Sequence, residues 1–262
     1  MSYDRLLADR IVLVSGGTAG VGAATATAAA EAGASGVVIT GRRPETAERT
    51  LERIRAAGAE ARYVQADVAD VAQAIASVDQ TIAEFGRIDC LVNAAAVVDR
   101  GSLLDTTPEF FDWHVDVNLK APFFTMQAAV KDMLSRGAPG SIVNILSISM
   151  HVGQTFLAPY VASKGGLAHL TKNAAHAHRF DRIRINGVNI GWTLTEGEDV
   201  IQRKAHGAQD GWHEAASAQL PMGKLGQPDE IADFIVFLLS ERSGVVTGSV
   251  IDWDQNVIGA LD

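Results

Sequence analysis

The sequence predicts an α/β fold in which a doubly wound parallel sheet of about seven strands carries helices on both faces. Two observations support this prediction: short β-branched runs alternate with longer helical stretches, and several of the runs are apolar at every position. Strands that alternate with helices are joined by crossovers and are therefore parallel. Strands that are apolar on both sides are covered by helices on both faces of the sheet.

Seven runs have the character of strands. The first, residues 11–14, consists only of Ile, Val and Leu, a composition typical of a buried parallel strand. It leads directly into a glycine-rich segment and a helix. The other predicted strands, in chain order, are residues 37–40, 61–66, 88–92, 141–146, 183–188 and 250–251.

Helical stretches lie between these strands. Glycine follows the first two stretches, at Gly33 and Gly58, as is common after the end of a helix. Pro122 predicts a bend within the long helical region 108–135. The predicted helices are residues 23–32, 45–57, 71–85, 108–135, 160–180 and 229–239.

The chain contains no internal repeat and no linker, so residues 1–262 are expected to form a single domain. Residues 193–220 differ in composition, because they are polar, charged and interrupted by glycines. Long insertions in compact domains are often functional. We expect this segment to form a helical lid or loop over the substrate.

Net charge and cysteine content restrict the partners and the compartment. The formal net charge of −9 disfavours nucleic acid as a partner, and an anionic ligand must be held by a local site. Cys90 cannot form an internal disulfide, which fits a reducing compartment, and we expect it to be buried. The first residues lack a signal-peptide pattern, and the apolar run 235–239 is too short to span a bilayer. A cytoplasmic protein without a membrane partner is expected.

The segment after the first strand has the pattern of a phosphate-binding loop. Glycines allow a tight turn and a close approach of the backbone to a ligand, and a helix N-terminus offers free N–H groups to a pyrophosphate. The spacing is Gly-x-x-x-Gly-x-Gly; a glycine-rich turn without a ligand is the alternative. The loop is Ser15-Gly16-Gly17-Thr18-Ala19-Gly20-Val21-Gly22.

The end of the second strand bears on the choice of cofactor. An acidic residue there would bind the ribose 2′-hydroxyl of NAD, but the sequence is Thr40-Gly41-Arg42-Arg43. Guanidinium groups suit a 2′-phosphate, so NADP is favoured over NAD. The alternative is that both arginines are surface charges, and the absence of Lys and Arg from the glycine loop weakens the case for NADP.

Four polar residues are candidates for the chemistry. Tyr160 and Lys164 are four positions apart at the start of a helix and therefore share a face. An ammonium favours the phenolate, so the tyrosine could exchange a proton near neutral pH, although such pairs also occur by chance. Ser147 follows the fifth strand, at the sheet edge where ligands bind. Asn118 is polar within an apolar helix; a local hydrogen bond or a helix irregularity would also explain it.

In motif content and order, the chain resembles a short-chain dehydrogenase/reductase from about residue 10 to 254. The resemblance implies a Rossmann-like fold and hydride transfer between a nicotinamide cofactor and an alcohol or carbonyl. The motifs that carry it are the glycine loop, Asp67-Val68, Asn93-Ala94-Ala95-Ala96, Asn118, Ser147, Tyr160 and Lys164.

The resemblance also assigns roles. Tyr160 is the expected acid/base, and Lys164 is expected to lower its pKa and bind the nicotinamide ribose. Ser147 would hold the substrate oxygen, and Asn118 would anchor a water-linked proton relay. The residues expected to bind the cofactor are Ser15, Gly16, Gly17, Thr18, Gly20, Val21, Gly22, Arg42, Arg43, Asp67, Val68, Asn93, Ala94, Ala95, Tyr160, Lys164, Ile190, Gly191, Thr193 and Thr195.

The candidate substrate residues are polar or aromatic: His151, Gln154 and Trp192. Such groups favour a sugar, a sugar derivative or a polyol, and the alternatives are that they face solvent or that the substrate is a hydrophobic ketone or alcohol. The histidine spacing matches no zinc pattern, so no metal is expected. A redox sensor that binds the cofactor without catalysis is a further alternative, and so is an epimerase or dehydratase. Family members usually assemble as homotetramers, and we expect one here.

Overall fold

A computed structural model describes residues 5–259, and these contain the predicted parallel sheet. The strand order is β3-β2-β1-β4-β5-β6-β7, and every neighbouring pair is parallel. The sheet confirms the Rossmann-like fold. The strands are β1 (Ile11–Ser15), β2 (Gly36–Gly41), β3 (Glu60–Gln65), β4 (Cys90–Asn93), β5 (Gly140–Ser147), β6 (Ile183–Ile190) and β7 (Val250–Trp253).

Helices cover both faces of this sheet, as the apolar strands predict. Successive residues of β1 face opposite sides: Val12 packs in one hydrophobic cluster with Ala26 and Ile235, and Leu13 packs in another with Val78 and Met133. The helices are α1 (Gly20–Glu31), α2 (Glu48–Ala56), α3 (Val71–Phe85), α4 (Pro108–Val115), α5 (Ala121–Ser135), α6 (Ala158–His178), α7 (Glu196–His206), α8 (Trp212–Ser217) and α9 (Pro228–Leu239).

The predicted helical region 108–135 is interrupted before the proline rather than at it. A π-helical turn, Asp116–Lys120, separates α4 from α5. Pro122 lies in the first turn of α5, where its missing N–H has little cost. The turn contains Asn118, and π-bulges of this kind occur frequently at functional sites.

The order of the strands fixes the position of the binding crevice. The chain winds outward from β1 through β2 and β3, and then in the other direction from β4. Ser15 at the end of β1 is in register with Asn93 at the end of β4. Ligands of open α/β sheets bind at such a reversal, beyond the carboxyl ends of the strands.

Two further features of the described residues bear on the sequence-based expectations. Cys90 is buried in β4, as expected, and burial raises the pKa of its thiol to about 12. Between residues 5 and 259, no helix combines the length and apolar composition needed to cross a membrane.

Candidate active site

A cavity of about 1000 Å³ lies at the carboxyl ends of the strands. Of the residues expected to form the site, those that line the cavity are Gly16, Thr18, Gly20, Val21, Gly22, Arg42, Asp67, Val68, Ala94, Ala95, Ser147, Gln154, Tyr160, Lys164, Ile190, Gly191, Trp192, Thr193 and Thr195. Those that do not line it are Ser15, Gly17, Arg43, Asn93, Asn118 and His151.

The glycine loop forms one end of the cavity, and two of its glycines are required by close contacts. Gly16 has a φ of +79°, and a Cβ there would lie 2.6 Å from the backbone of Ala95. A Cβ on Gly22 would collide with the carbonyl oxygen of Gly16. Helix α1 begins beside this turn with no side-chain cap and no acidic residue in its first turn. Its first N–H groups therefore remain available to an anion.

The two arginines directly follow the carboxyl end of β2, beside the glycine loop. The Thr40 hydroxyl accepts a hydrogen bond from the Gly16 N–H at 3.2 Å, which ties the end of β2 to the glycine loop. Arg42 and Arg43 are both exposed, and Arg42 lines the cavity. No carboxylate in residues 5–259 pairs with the Arg42 guanidinium. The glycine cradle and the uncapped helix together fit the pyrophosphate of a nicotinamide dinucleotide.

Asn93 is placed differently from the sequence-based expectation. Its side chain is buried and linked within the protein: its Nδ2 donates to Asn144 Oδ1 at 2.8 Å, and its Oδ1 accepts from the Thr125 hydroxyl at 2.8 Å. Asn144 Nδ2 in turn donates to the Thr171 hydroxyl at 2.9 Å. This network joins β4, α5, β5 and α6, and its hydrogen bonds occupy the Asn93 amide within the protein.

The side chain of Asn118 is also used inside the protein. Its Oδ1 accepts from the N–H of Val97 and its Nδ2 donates to the Val97 carbonyl, both at 2.9 Å. A third hydrogen bond, 3.1 Å long, reaches the Ser163 hydroxyl on α6. Of the two alternatives raised for this residue, the helix irregularity is present, whereas the hydrogen bonds of the amide are tertiary rather than local. The amide holds the segment after β4 against the helix that carries Tyr160.

Tyr160 and Ser147 meet in the middle of the cavity. The phenol is buried, and Ser147 lines the same cavity with a hydroxyl that accepts from the Ser149 hydroxyl at 2.9 Å. Burial raises the pKa of Tyr160, because a phenolate would lose hydration. The Ser147 hydrogen bond lowers this pKa, the Glu198 charge raises it and the Arg100 charge lowers it. The overall direction is opposite to the expected decrease.

Lys164 explains part of this difference. Its Nζ donates to the Ile145 carbonyl at 2.7 Å and lies 5.8 Å from the centroid of the Tyr160 ring. Burial lowers the pKa of Lys164 to about 8. The ammonium is therefore itself disfavoured in this environment, and burial dominates the titration of both members of the pair.

The far end of the cavity is formed by side chains from separate segments. Trp192 Nε1 and Gln202 Nε2 both donate to Glu198 Oε1, at 2.8 and 2.7 Å. The Arg100 guanidinium lies 5.5 Å from the centroid of the Phe156 ring and 3.4 Å from His206 Nε2. Sequence reasoning missed Arg100 and Phe156. The one sequence feature that could have indicated Arg100 is its position, since it is a basic residue seven positions after Asn93.

His151, one of the three candidate substrate residues, does not line the cavity. His151 Nε2 lies 2.9 Å from Asp252 Oδ1 and 3.1 Å from Asn189 Nδ2. Trp212 stacks on Trp192 with 5.9 Å between ring centroids. In the part of the chain from residue 5 to 259, no group of three His, Cys, Asp or Glu side chains is arranged to hold a metal ion.

Comparison with known proteins agrees with this geometry. A family profile described as enoyl-(acyl carrier protein) reductase matches residues 16–255. The crystal structure of a short-chain type dehydrogenase/reductase from Mycobacterium marinum superposes with a TM-score of 0.86 at 30% identity, covering 95% of each chain. The chain belongs to the short-chain dehydrogenase/reductase family. It is therefore an oxidoreductase that acts on alcohol or carbonyl groups of a small molecule with NAD(P).

Two other members of the short-chain dehydrogenase/reductase family bear on the substrate. L-Rhamnose 1-dehydrogenase (NAD(P)(+)) from Sphingomonas sp. SKA58 is 34% identical over 249 residues, covering 94% of this chain and 95% of the relative. A candidate 2-deoxy-D-gluconate 3-dehydrogenase from Agrobacterium tumefaciens, with NADP bound, superposes with a TM-score of 0.85 at 32% identity. The superposition covers 97% of this chain and 98% of the chain from Agrobacterium tumefaciens.

Proposed function

We propose that the protein is a dehydrogenase that prefers NADP and acts on a sugar, sugar derivative or polyol, with Tyr160 as the proton donor and acceptor. One observation carries the proposal: Tyr160, Ser147 and Lys164 line one cavity, and the far wall of that cavity carries polar side chains. Glu198, Gln154 and Gln202 supply the hydrogen-bonding groups that a hydroxyl-rich substrate needs. The relatives that act on sugars support this choice of substrate.

The residues of the cavity divide the work. NADP, when bound, would be held by the glycine loop and by Arg42 and would supply the hydride acceptor. Ser147 holds the substrate oxygen, and Tyr160 Oη takes the hydroxyl proton when an alcohol is oxidised and returns it when a carbonyl is reduced. Lys164 stands beside the ring and is fixed by the Ile145 carbonyl. Because burial raises the pKa of Tyr160, the neutral phenol suits reduction, and oxidation becomes faster as the pH rises.

The preference for NADP rests on charge. Arg42 is a cation at the end of β2 that lines the cavity and has no carboxylate partner within residues 5–259. Arg43 is exposed beside it. A guanidinium binds a phosphate through two parallel hydrogen bonds. A 2′-phosphate would give Arg42 such a partner.

We extend the proposal to the organisation of the protein. The described residues, 5–259, act as one domain in which residues 193–220 serve as a lid, since α7 contributes Glu198, Gln202 and His206 to the cavity. The exposed Phe111 and Phe123, within the helical region 108–135, support a homotetramer built through that region. The single buried thiol of Cys90 fits a cytoplasmic location.

The first experiment is to follow formation of reduced cofactor with a panel of aldoses, polyols and secondary alcohols, using NADP and NAD in parallel at mildly alkaline pH. Tyr160→Phe should lower turnover by about 10²- to 10⁴-fold, because general acid–base catalysis is lost. It should retain cofactor binding, measured as quenching of protein fluorescence. Wild-type turnover by Tyr160→Phe would contradict the assigned role.

A dehydrogenase of a hydrophobic ketone or alcohol is the second candidate. Val152, Phe156 and Leu157 line the same cavity and present apolar surface to it. The matching family profile, which is described as enoyl-(acyl carrier protein) reductase, also supports this second candidate. Activity on long acyl ketones or steroids with none on sugars and polyols would favour this candidate.

A further inference from the structure

Arg100 lies at the substrate end of the cavity. It is half-buried, and no carboxylate in residues 5–259 forms an ion pair with it. Several other arginines of the described residues differ in this respect; Arg62 and Arg203, for example, each contact two carboxylates. Removing part of a guanidinium from water is unfavourable unless an anion or good hydrogen bonds compensate for the lost hydration.

Neutral groups hold Arg100 in place. One terminal nitrogen donates to the Val98 carbonyl at 2.9 Å, and the guanidinium lies over the Phe156 ring. The other edge, Nε and Nη2, is 3.4 Å from His206 Nε2. That contact is longer than the 2.7–3.2 Å typical of a good hydrogen bond. This edge is the pair of donors that fits the two oxygens of a carboxylate.

The position of Arg100 relates it to the reacting group. It lines the same cavity as Ser147 and Tyr160, and its charge lowers the pKa of the phenol. The chain as a whole carries a net charge of −9, so its overall field does not attract anions. An unpaired cation in the cavity is therefore a local feature that acts at the substrate.

Glu198 restricts the negative charge that a substrate bound at Arg100 can carry, and it also restricts how that substrate is oriented. Trp192 and Gln202 both donate to its Oε1, and Oε2 can accept from a substrate hydroxyl. A phosphate dianion would carry more charge than one guanidinium neutralises and would meet this carboxylate. A monoanionic carboxylate with several hydroxyl groups satisfies both residues.

We propose that the substrate is a polyhydroxy acid of the aldonate class, whose carboxylate binds Arg100 and whose hydroxyl groups face Glu198. The inference rests on the proposed function, because it specifies the substrate of the same cavity. It differs from that function in a testable way, since neutral sugars and polyols lack the charged group.

The experiment compares matched pairs that differ only in the acid group: D-gluconate with D-glucitol, D-galactonate with galactitol, and D-xylonate with xylitol. Binding to the NADP-loaded protein is measured by calorimetry, and oxidation is measured as NADPH formation. At least one aldonate should have a kcat/KM at least 10-fold above that of its polyol. Arg100→Gln should raise the KM for that aldonate by about 10- to 100-fold. The ratio of kcat/KM for the aldonate to kcat/KM for its polyol should fall by a similar factor, because a change in the pKa of Tyr160 affects both substrates alike.

Two variants control for charge and for folding. Arg53→Gln removes the same charge from the exposed side of α2, and should leave both constants unchanged. Arg100→Lys keeps the charge but loses the two-point contact, so its KM should fall between those of wild type and Arg100→Gln. Because polyol turnover reports the integrity of the cavity, a misfolded Arg100 variant is recognised by loss of that activity.

The outcomes separate this inference from the proposed function. If polyol oxidation depends on Tyr160 and aldonates are not preferred, the inference that the substrate carries a carboxylate is overturned. The proposed function as a sugar or polyol dehydrogenase then still stands. Aldonate binding that depends on Arg100, without oxidation, supports the anion site and contradicts the catalytic proposal. Tighter binding of glucose 6-phosphate than of any aldonate overturns the carboxylate assignment, and binding of no panel member overturns it as well.

Discussion

The two ends of the cavity are built differently. At the glycine loop, backbone packs against backbone: Gly16 faces Ala95, and Gly22 faces the Gly16 carbonyl. At the far end, Arg100, Phe156 and His206 come from segments up to 106 residues apart and meet through their side chains. The first end tolerates almost no change in residue size, whereas the second end allows many side-chain combinations. One fold can therefore keep its cofactor while its substrate changes.

The strongest way to sharpen this contrast is Gly22→Ala. The added methyl would collide with the Gly16 carbonyl, so α1 must shift away from the loop. We expect the free energy of unfolding to fall by about 3 kcal/mol, at the upper end for overpacking, and NADPH affinity to fall at least 100-fold. Denaturant unfolding and NADPH fluorescence titration measure the two effects.

The matched control for that variant is Gly165→Ala on α6. An added Cβ there meets no atom within 4 Å, and alanine favours a helix by up to about 1 kcal/mol over glycine. Stability should be equal or higher. Equal behaviour of the two variants would mean that close packing does not set the shape of the loop.

Between the two ends lies the catalytic group, and Lys164→Met tests how much the buried Lys164 ammonium lowers the free energy of unfolding. Burial lowers the pKa of Lys164 from 10.5 to about 8, so below pH 8 the folded protein retains a charge that its interior disfavours, at a cost of about 3 kcal/mol. The unfolded chain binds the extra proton between pH 8 and 10.5, and wild-type stability therefore rises across that interval.

At pH 7 we expect Lys164→Met to unfold with a free energy about 1–3 kcal/mol higher than wild type, because methionine also loses the bond to the Ile145 carbonyl. Urea unfolding at several pH values should show this gap narrowing from pH 8 towards 10, while turnover is lost. A variant less stable than wild type at pH 7 would show that the ammonium is well accommodated.

The smallest expected effect is at the edge of the cofactor end, where solvent screens charge. Arg42→Gln should raise the KM for NADP by about 10-fold, since one charge-assisted contact is lost, and should leave the KM for NAD unchanged. Steady-state kinetics with both cofactors checks this, with Arg53→Gln as the control. An unchanged ratio of the two KM values would make Arg42 an ordinary surface charge.

The contrast between the two ends also explains what the sequence could predict. Strand and helix positions follow from local patterns, and the sheet they predict is confirmed. The glycine loop was recognisable because the strand, the glycines and the helix follow one another directly in the sequence. The predicted helix 108–135 contains a π turn instead of a bend at Pro122, because the hydrogen bonds that Asn118 makes to Val97 are tertiary.

Side-chain environments were beyond sequence reasoning. The Tyr160–Lys164 spacing predicts a shared helix face, but burial determines the direction of both pKa values. Asn93 lies in the expected motif, yet its amide is directed into the network with Asn144 and Thr125. Arg100 and His206 are 106 positions apart, and no periodic pattern connects residues at such a separation.

The single cysteine has a consequence for how opening of the sheet can be observed. Cys90 lies in β4, between β1 and β5, and burial keeps it in the unreactive thiol form. A thiol reagent can modify it only after the centre of the sheet separates. The rate at which Cys90 is labelled therefore reports how often the sheet opens at this position, without any engineered probe. Ligands that stabilise the folded state must slow this labelling.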